Sequence, residues 1–125
     1  MPLSRSVPVT FIFTRDPDRA RGFYRDTLGL AVLAEDPYAT VFDLAGVPLR
    51  VVPIPDHVPS PHTVLGWQVE DIGAAMSQLR DRGVTFLVYE GFGQDAGGVW
   101  TAPDGSAKVA WFNDPDGNNL SLTQS

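Results

Sequence analysis

Few side chains in this sequence could carry chemistry. The chain has 125 residues, with 2 histidines, 15 acidic and 9 basic side chains, and no cysteine. Without a thiol there is no disulfide, no thiolate metal site and no cysteine nucleophile. His57 and His62 lie in a proline-rich stretch at an i, i+5 spacing that fits no metal motif, so both are expected to be solvated or locally hydrogen-bonded. A Ser-His-Asp relay needs its histidine on a rigid scaffold, which neither provides. Asp16, Asp71, Asp114 and Asp116 stand at helix starts or in turns. Asp43 and Glu90 are left for acid–base work, neither with a visible partner. The glycine-rich run Gly91–Gly98 lacks the Lys-Ser/Thr ending of a phosphate loop. It reads as a mobile surface loop, with a lid over a pocket as the alternative.

Composition excludes several partners. A net charge of -6 repels phosphate backbones, so nucleic acid is not expected. No apolar run reaches the length of a membrane helix, and Met1–Arg5 lacks the apolar core of a signal peptide. The expected location is the cytoplasm.

The elements that must position any site come in two similar sets. Pro8–Thr14 is β-branched and aromatic and reads as a strand. Asp16-Pro17 then starts a helix, which runs to about Leu28 with Ala20, Phe23, Tyr24 and Leu28 on one face, and Gly29 stops it. Strands are expected at 31–33, 40–44 and 49–52, the last two joined by a turn at Ala45–Pro48. Pro53–His62 is a stiff linker. A strand at 64–69 follows. Asp71 starts a helix with Ile72, Ala75, Met76 and Leu79 on its apolar face, and Gly83 ends it. Strands are expected at 84–89, 108–112 and 120–123, with Asp114–Asn118 turning the last pair. The two helix-start aspartates are 55 residues apart, and that offset also sets Val9 on Val64. The repeated order predicts an α+β chain of two βαβββ modules, with helices on one face of curved sheets. The first spans about 7–54, the linker 53–62 and the second about 63–124, together one domain over 1–125.

Three stretches carry a resemblance. Phe23-Tyr24-Arg25-Asp26-Thr27-Leu28-Gly29-Leu30 resembles the signature after the first helix of the vicinal-oxygen-chelate superfamily, which includes glyoxalases, bleomycin resistance proteins and extradiol dioxygenases. Val69–Ile72 through Leu79 to Val84 resembles the start of its second module, and Phe112–Asn118 its final hairpin. The resemblance implies that the mixed sheets form a cup with the helices outside. It also implies a metal at the cup floor, held by oxygen and nitrogen ligands. At the family's ligand positions this sequence has Val9, Val64 and Ser121, with Arg50 at the remaining one. Valines supply no donor atom, a neutral hydroxyl is a poor ligand, and arginine repels a cation. No metal is therefore expected, and no other cofactor.

Strand alternation then assigns the cup lining. With Val9 go Phe11 and Phe13; with Val64 go Gly66 and Gln68; with Ser121 goes Thr123. A five-residue loop at 114–118 pairs Asn113 with Asn119, and so Trp111 with Ser121. The candidate ligand-binding residues are Phe11, Phe13, Arg50, Gln68, Trp111 and Ser121. Such a mix suits a small organic molecule. The expected function is metal-independent binding of such a molecule by a homodimer. The alternatives are a lyase, isomerase or dioxygenase relative acting on a small oxygenated substrate, and a non-catalytic dimeric accessory domain.

Overall fold

Each half of the chain uses an aspartate to turn a strand into a helix. Asp16 accepts from the Arg19 amide at 3.2 Å and Asp71 from the Ala74 amide at 3.0 Å, each satisfying a donor that a helix start leaves open. The computed structural model describes residues 2–125. They form two compact units that divide at Val58–Pro59, inside the proline-rich stretch. The chain is α+β, with a four-stranded mixed sheet in each unit.

In the first unit the elements are β1 (Thr10–Thr14), α1 (Pro17–Gly22), β2 (Val32–Asp36), β3 (Ala39–Leu44) and β4 (Val47–Pro53). The sheet order is β1-β4-β3-β2. β1 runs parallel to β4 and the other pairs are antiparallel. Alternation gives the sheet a buried face with Ile12, Phe42, Leu49 and Val51, while Phe11 and Phe13 point the other way and are exposed. Tyr24, fully buried beyond α1, packs its ring 5.8 Å from Phe42.

The α-helix is shorter than the 3.6-residue spacing predicts. It ends at Gly22, and Phe23–Thr27 form one π turn, closed by Leu28 N–H to the Phe23 carbonyl at 3.0 Å. Tyr24 keeps its place in the core, while the wider turn leaves Leu28 only half-buried. Gly29 then takes a positive φ of 75° and the chain leaves the helix there, as expected of that glycine. The β3–β4 hairpin is tighter than the expected turn at Ala45–Pro48. Ala45 and Gly46, at φ 52° and 95°, make the whole turn, and Pro48 pairs with Asp43 inside the ladder.

The second unit contains β5 (Thr63–Gln68), α2 (Ile72–Asp81), β6 (Trp100–Thr101), β7 (Lys108–Asn113) and β8 (Asn119–Gln124), with sheet order β5-β8-β7-β6. α2 packs across β7 and β8 with Ile72 and Met76 buried. The sheet face beneath carries Trp67, Ala110, Phe112, Leu120 and Leu122.

One expected strand does not form. Val84–Tyr89 makes only a single bridge, Phe86 to Phe112. The free edge of β7 is shared: Phe86 takes it at Phe112, and β6 takes it at Lys108 and Val109. Beyond this bridge the backbone bonds elsewhere: the Leu87 carbonyl and the Tyr89 amide pair with the Gln94 side chain instead of with β7. The chain between these two contacts leaves the sheet.

Among the described residues no helix is long and apolar enough to cross a membrane.

Candidate functional site

The candidate residues fall into two groups, one on each sheet. In the first unit Phe11 pairs with Arg50, and Arg50 with Val41, so these side chains share the face opposite the buried one. Phe13 continues that row, and its ring lies 5.8 Å from His57. His57 is therefore in contact with an aromatic neighbour. Arg50 is half-buried, and its guanidinium has no ion pair or hydrogen bond among the described residues. Asp43, a candidate acid or base, instead accepts from the Gly46 amide at 2.7 Å and fastens the hairpin turn. Glu90 is exposed.

In the second unit Gly66, Ser121 and Trp111 lie side by side across three strands, the register expected from the five-residue loop. Ser121 is buried and half-buried Trp111 flanks it. Gln68 stands one alternate position further along β5, where its amide donates to the Ser125 hydroxyl at 2.9 Å.

An aromatic cluster around Trp111 was not visible in the sequence pattern. Phe92 meets Trp111 edge-on at 5.4 Å and 85°, Tyr89 meets it at 5.8 Å and 72°, and Phe92 also lies 6.4 Å from Trp100. Tyr89 and Phe92 contact each other at 5.9 Å. Both are exposed, so the cluster borders solvent with unused aromatic surface. Its sequence signal is the density of Phe86, Tyr89, Phe92 and Trp100 among glycines, which alternation rules do not read.

The loop that presents Tyr89 and Phe92 is tied to its own backbone. The Gln94 side chain accepts from the Tyr89 amide at 2.6 Å and donates to the Leu87 and Gly98 carbonyls at 2.9 and 2.7 Å. Asp95 accepts from the Gly97 and Val99 amides, both at 2.9 Å. Arg80 of α2 donates to the Gly97 carbonyl at 2.8 Å. These bonds supply the backbone pairing that a ladder would otherwise give.

Beside the cluster lies a recess of about 290 Å³, lined by Ser60, Pro61, Leu87, Tyr89, Asn113, Gly117 and Asn119. Asn119 donates to the Tyr89 hydroxyl at 3.0 Å, and Thr63 donates to the Asn119 amide oxygen at 2.6 Å. Titration is moved elsewhere: Arg25, hydrogen-bonded at 2.9 Å, lowers the Asp26 carboxyl below its ordinary range, and Ser106 lowers that of Asp104.

The positions implied for a metal do not suit one. Val9 and Val64 are exposed and apolar, Arg50 is a cation, and the buried Ser121 offers one neutral hydroxyl. Among the described residues no three His, Asp or Glu side chains cluster as a metal site would need.

The two mixed sheets, each with a capped helix after its first strand, match a known class of protein. The chain belongs to the Glyoxalase/Bleomycin resistance protein/Dioxygenase superfamily, whose family model matches residues 6–122. Among solved structures it is similar to TnmS3, an antibiotic binding protein from Streptomyces sp. CB03234, with 26% identity and a TM-score of 0.74 over 95% of this chain and 94% of that one. It is also similar to a glyoxalase/bleomycin resistance protein/dioxygenase from Alicyclobacillus acidocaldarius, with 20% identity and a TM-score of 0.73 over 96% and 91% of the two chains. A lactoylglutathione lyase from Agrobacterium tumefaciens has 15% identity and a TM-score of 0.72 over 97% and 94%. No curated protein matches the chain significantly.

Proposed function

We propose that the chain is a binding protein for a small planar organic molecule and works without a metal. The supporting observation is the solvent-bordering cluster of Trp111, Tyr89, Phe92 and Trp100, which offers stacking surface on a loop fixed by Gln94. Sequestration needs such a surface and no reacting groups. The likeness to an antibiotic binding protein supports the same role. On the first unit, Arg50 beside Phe11 favours a ligand bearing a carboxylate, since a guanidinium gives two parallel hydrogen bonds. The net charge of -6 favours a cation instead, but distant surface charge is screened beyond about 8 Å at physiological salt.

Titration with 2-naphthoate, followed by tryptophan fluorescence and calorimetry with and without EDTA, tests this. Saturable binding unchanged by EDTA is expected. Trp111→Ala should weaken it about tenfold or more, because lost stacking and burial together exceed the 1.4 kcal/mol of one decade. No binding, or binding that requires a metal, would overturn the proposal. Tight bleomycin binding would replace the anionic preference with a cationic one.

The same proposal includes a cytoplasmic homodimer. Its support is β2, an edge strand exposed at every residue, Val32 and Leu33 among them; such edges are commonly covered by a second copy. Light scattering at micromolar concentration should give twice 13.6 kDa, and the monomer mass would refute it.

A further inference from the structure

We infer that Tyr89 is a specificity-determining hydrogen-bond donor, so that the second unit selects planar aromatic molecules bearing an acceptor oxygen over those without one. The inference rests on the binding role just proposed and adds the polar feature the ligand must carry.

The direction of the hydrogen bonds carries it. A side-chain amide has one accepting end and one donating end. At Asn119, Oδ1 faces the Thr63 hydroxyl and accepts from it at 2.6 Å. Nδ2 is left facing Tyr89 and donates to its hydroxyl oxygen at 3.0 Å. A phenol that accepts from an amide keeps its own hydrogen for another partner. Among the described residues that hydrogen has no acceptor. Tyr89 also lines the recess of about 290 Å³, while its ring sits 5.8 Å from Trp111 and 5.9 Å from Phe92. An aromatic molecule stacked on this cluster therefore has a directed O–H donor at its edge. A carbonyl or other acceptor oxygen satisfies it; a hydrocarbon of the same shape displaces water from it without replacing the bond.

Asn119 is buried and paired with Asn113 in the β7–β8 ladder, so the donor is oriented from rigid strands although Tyr89 itself lies in a loop. In this arrangement Asn119 and Thr63 act as positioning residues.

Two probes of nearly equal shape test the inference: 2-acetylnaphthalene, which has a carbonyl oxygen, and 2-isopropenylnaphthalene, which has a methylene in its place. Wild-type protein should bind the acetyl compound about tenfold more tightly, the ratio for one hydrogen bond to a directed donor. Tyr89→Phe keeps the ring and removes only the hydroxyl, so it should bring the ratio to about one. Asn119→Asp replaces the amide donor with a carboxylate that only accepts, so the phenol turns its hydrogen inward and the ratio should again fall to about one. If that variant does not fold, Tyr89→Phe alone decides. Equal binding of both probes by wild type, or a ratio that survives Tyr89→Phe, would overturn the inference and leave the binding role intact. Failure of both naphthalenes and of 2-naphthoate to bind wild type would remove both.

Discussion

Truncating Phe112 to alanine should destabilise the second unit by about 3–5 kcal/mol. The side chain is fully buried on β7, opposite Leu120. Its ring stands 5.5 Å from Phe86, edge to face, and 6.5 Å from Trp67, nearly parallel. Alanine would remove an aromatic ring that touches three elements and leave a cavity that the paired strands cannot close by collapse. The same residue makes the one bridge that holds the 84–89 segment to the sheet. Phe92→Ala is the matched control. That ring is exposed, so its removal should cost less than about 1 kcal/mol. Urea denaturation of both variants gives the comparison. Equal midpoints would show that Phe112 is not the centre of this core.

Asp114→Ala should be similarly damaging, on the order of 3–4 kcal/mol. Asp114 is buried at the end of β7, with Oδ1 accepting from the Asp116 and Asn118 amides, both at 2.9 Å, and Oδ2 from the Asn118 side chain at 2.8 Å. A carboxylate taken out of water is tolerated where several donors replace its hydration. Alanine removes an acceptor shared by three buried donors, so the loss exceeds that of one exposed hydrogen bond. Asp114→Asn is the informative intermediate. It keeps one accepting oxygen for the two backbone amides but sets an N–H against the Asn118 Nδ2, so it should recover only part of the loss. Full wild-type stability in Asp114→Ala, read from thermal and urea midpoints, would show that the turn closes without this network.

The same five residues explain why part of the site was legible from sequence. Asp114–Asn118 fit a turn of known length, so the pairing of Asn113 with Asn119 and of Trp111 with Ser121 followed by counting. Phe11 and Phe13 were placed on the open face of β1 by strand alternation, and the aspartate caps by the chemistry of helix starts. The π turn after Gly22 and the missing strand at Val84–Tyr89 were not legible in the same way. The π turn bonds five residues apart, so Leu28 stays only half-buried while Tyr24 remains in the core, and no residue type in Phe23–Thr27 marks that change. Val84–Tyr89 has the composition of a strand, but the edge it would use is shared with Trp100 and Thr101 from farther along the chain. Tyr89 and Phe92 join Trp111 because Gln94 bonds three backbone groups around them, a closure set by side-chain geometry and not by periodicity.

The sharing of one strand edge also makes the second unit tolerant of change. Phe86 and Trp100 anchor both ends of the chain between them on β7, so the residues from Leu87 to Val99 do not set the register of any strand. The entropy of closing a loop rises only slowly with length, by about 0.6 kcal/mol for each doubling. Residues could be inserted near the exposed Gly91–Gly93 tip, or the tip exchanged for another, while both anchors stay paired. Tyr89 and Phe92 are thus carried on a replaceable cassette while Trp100 and Trp111 stay on the strands, and ligand preference could diverge by loop grafting without redesign of the sheet.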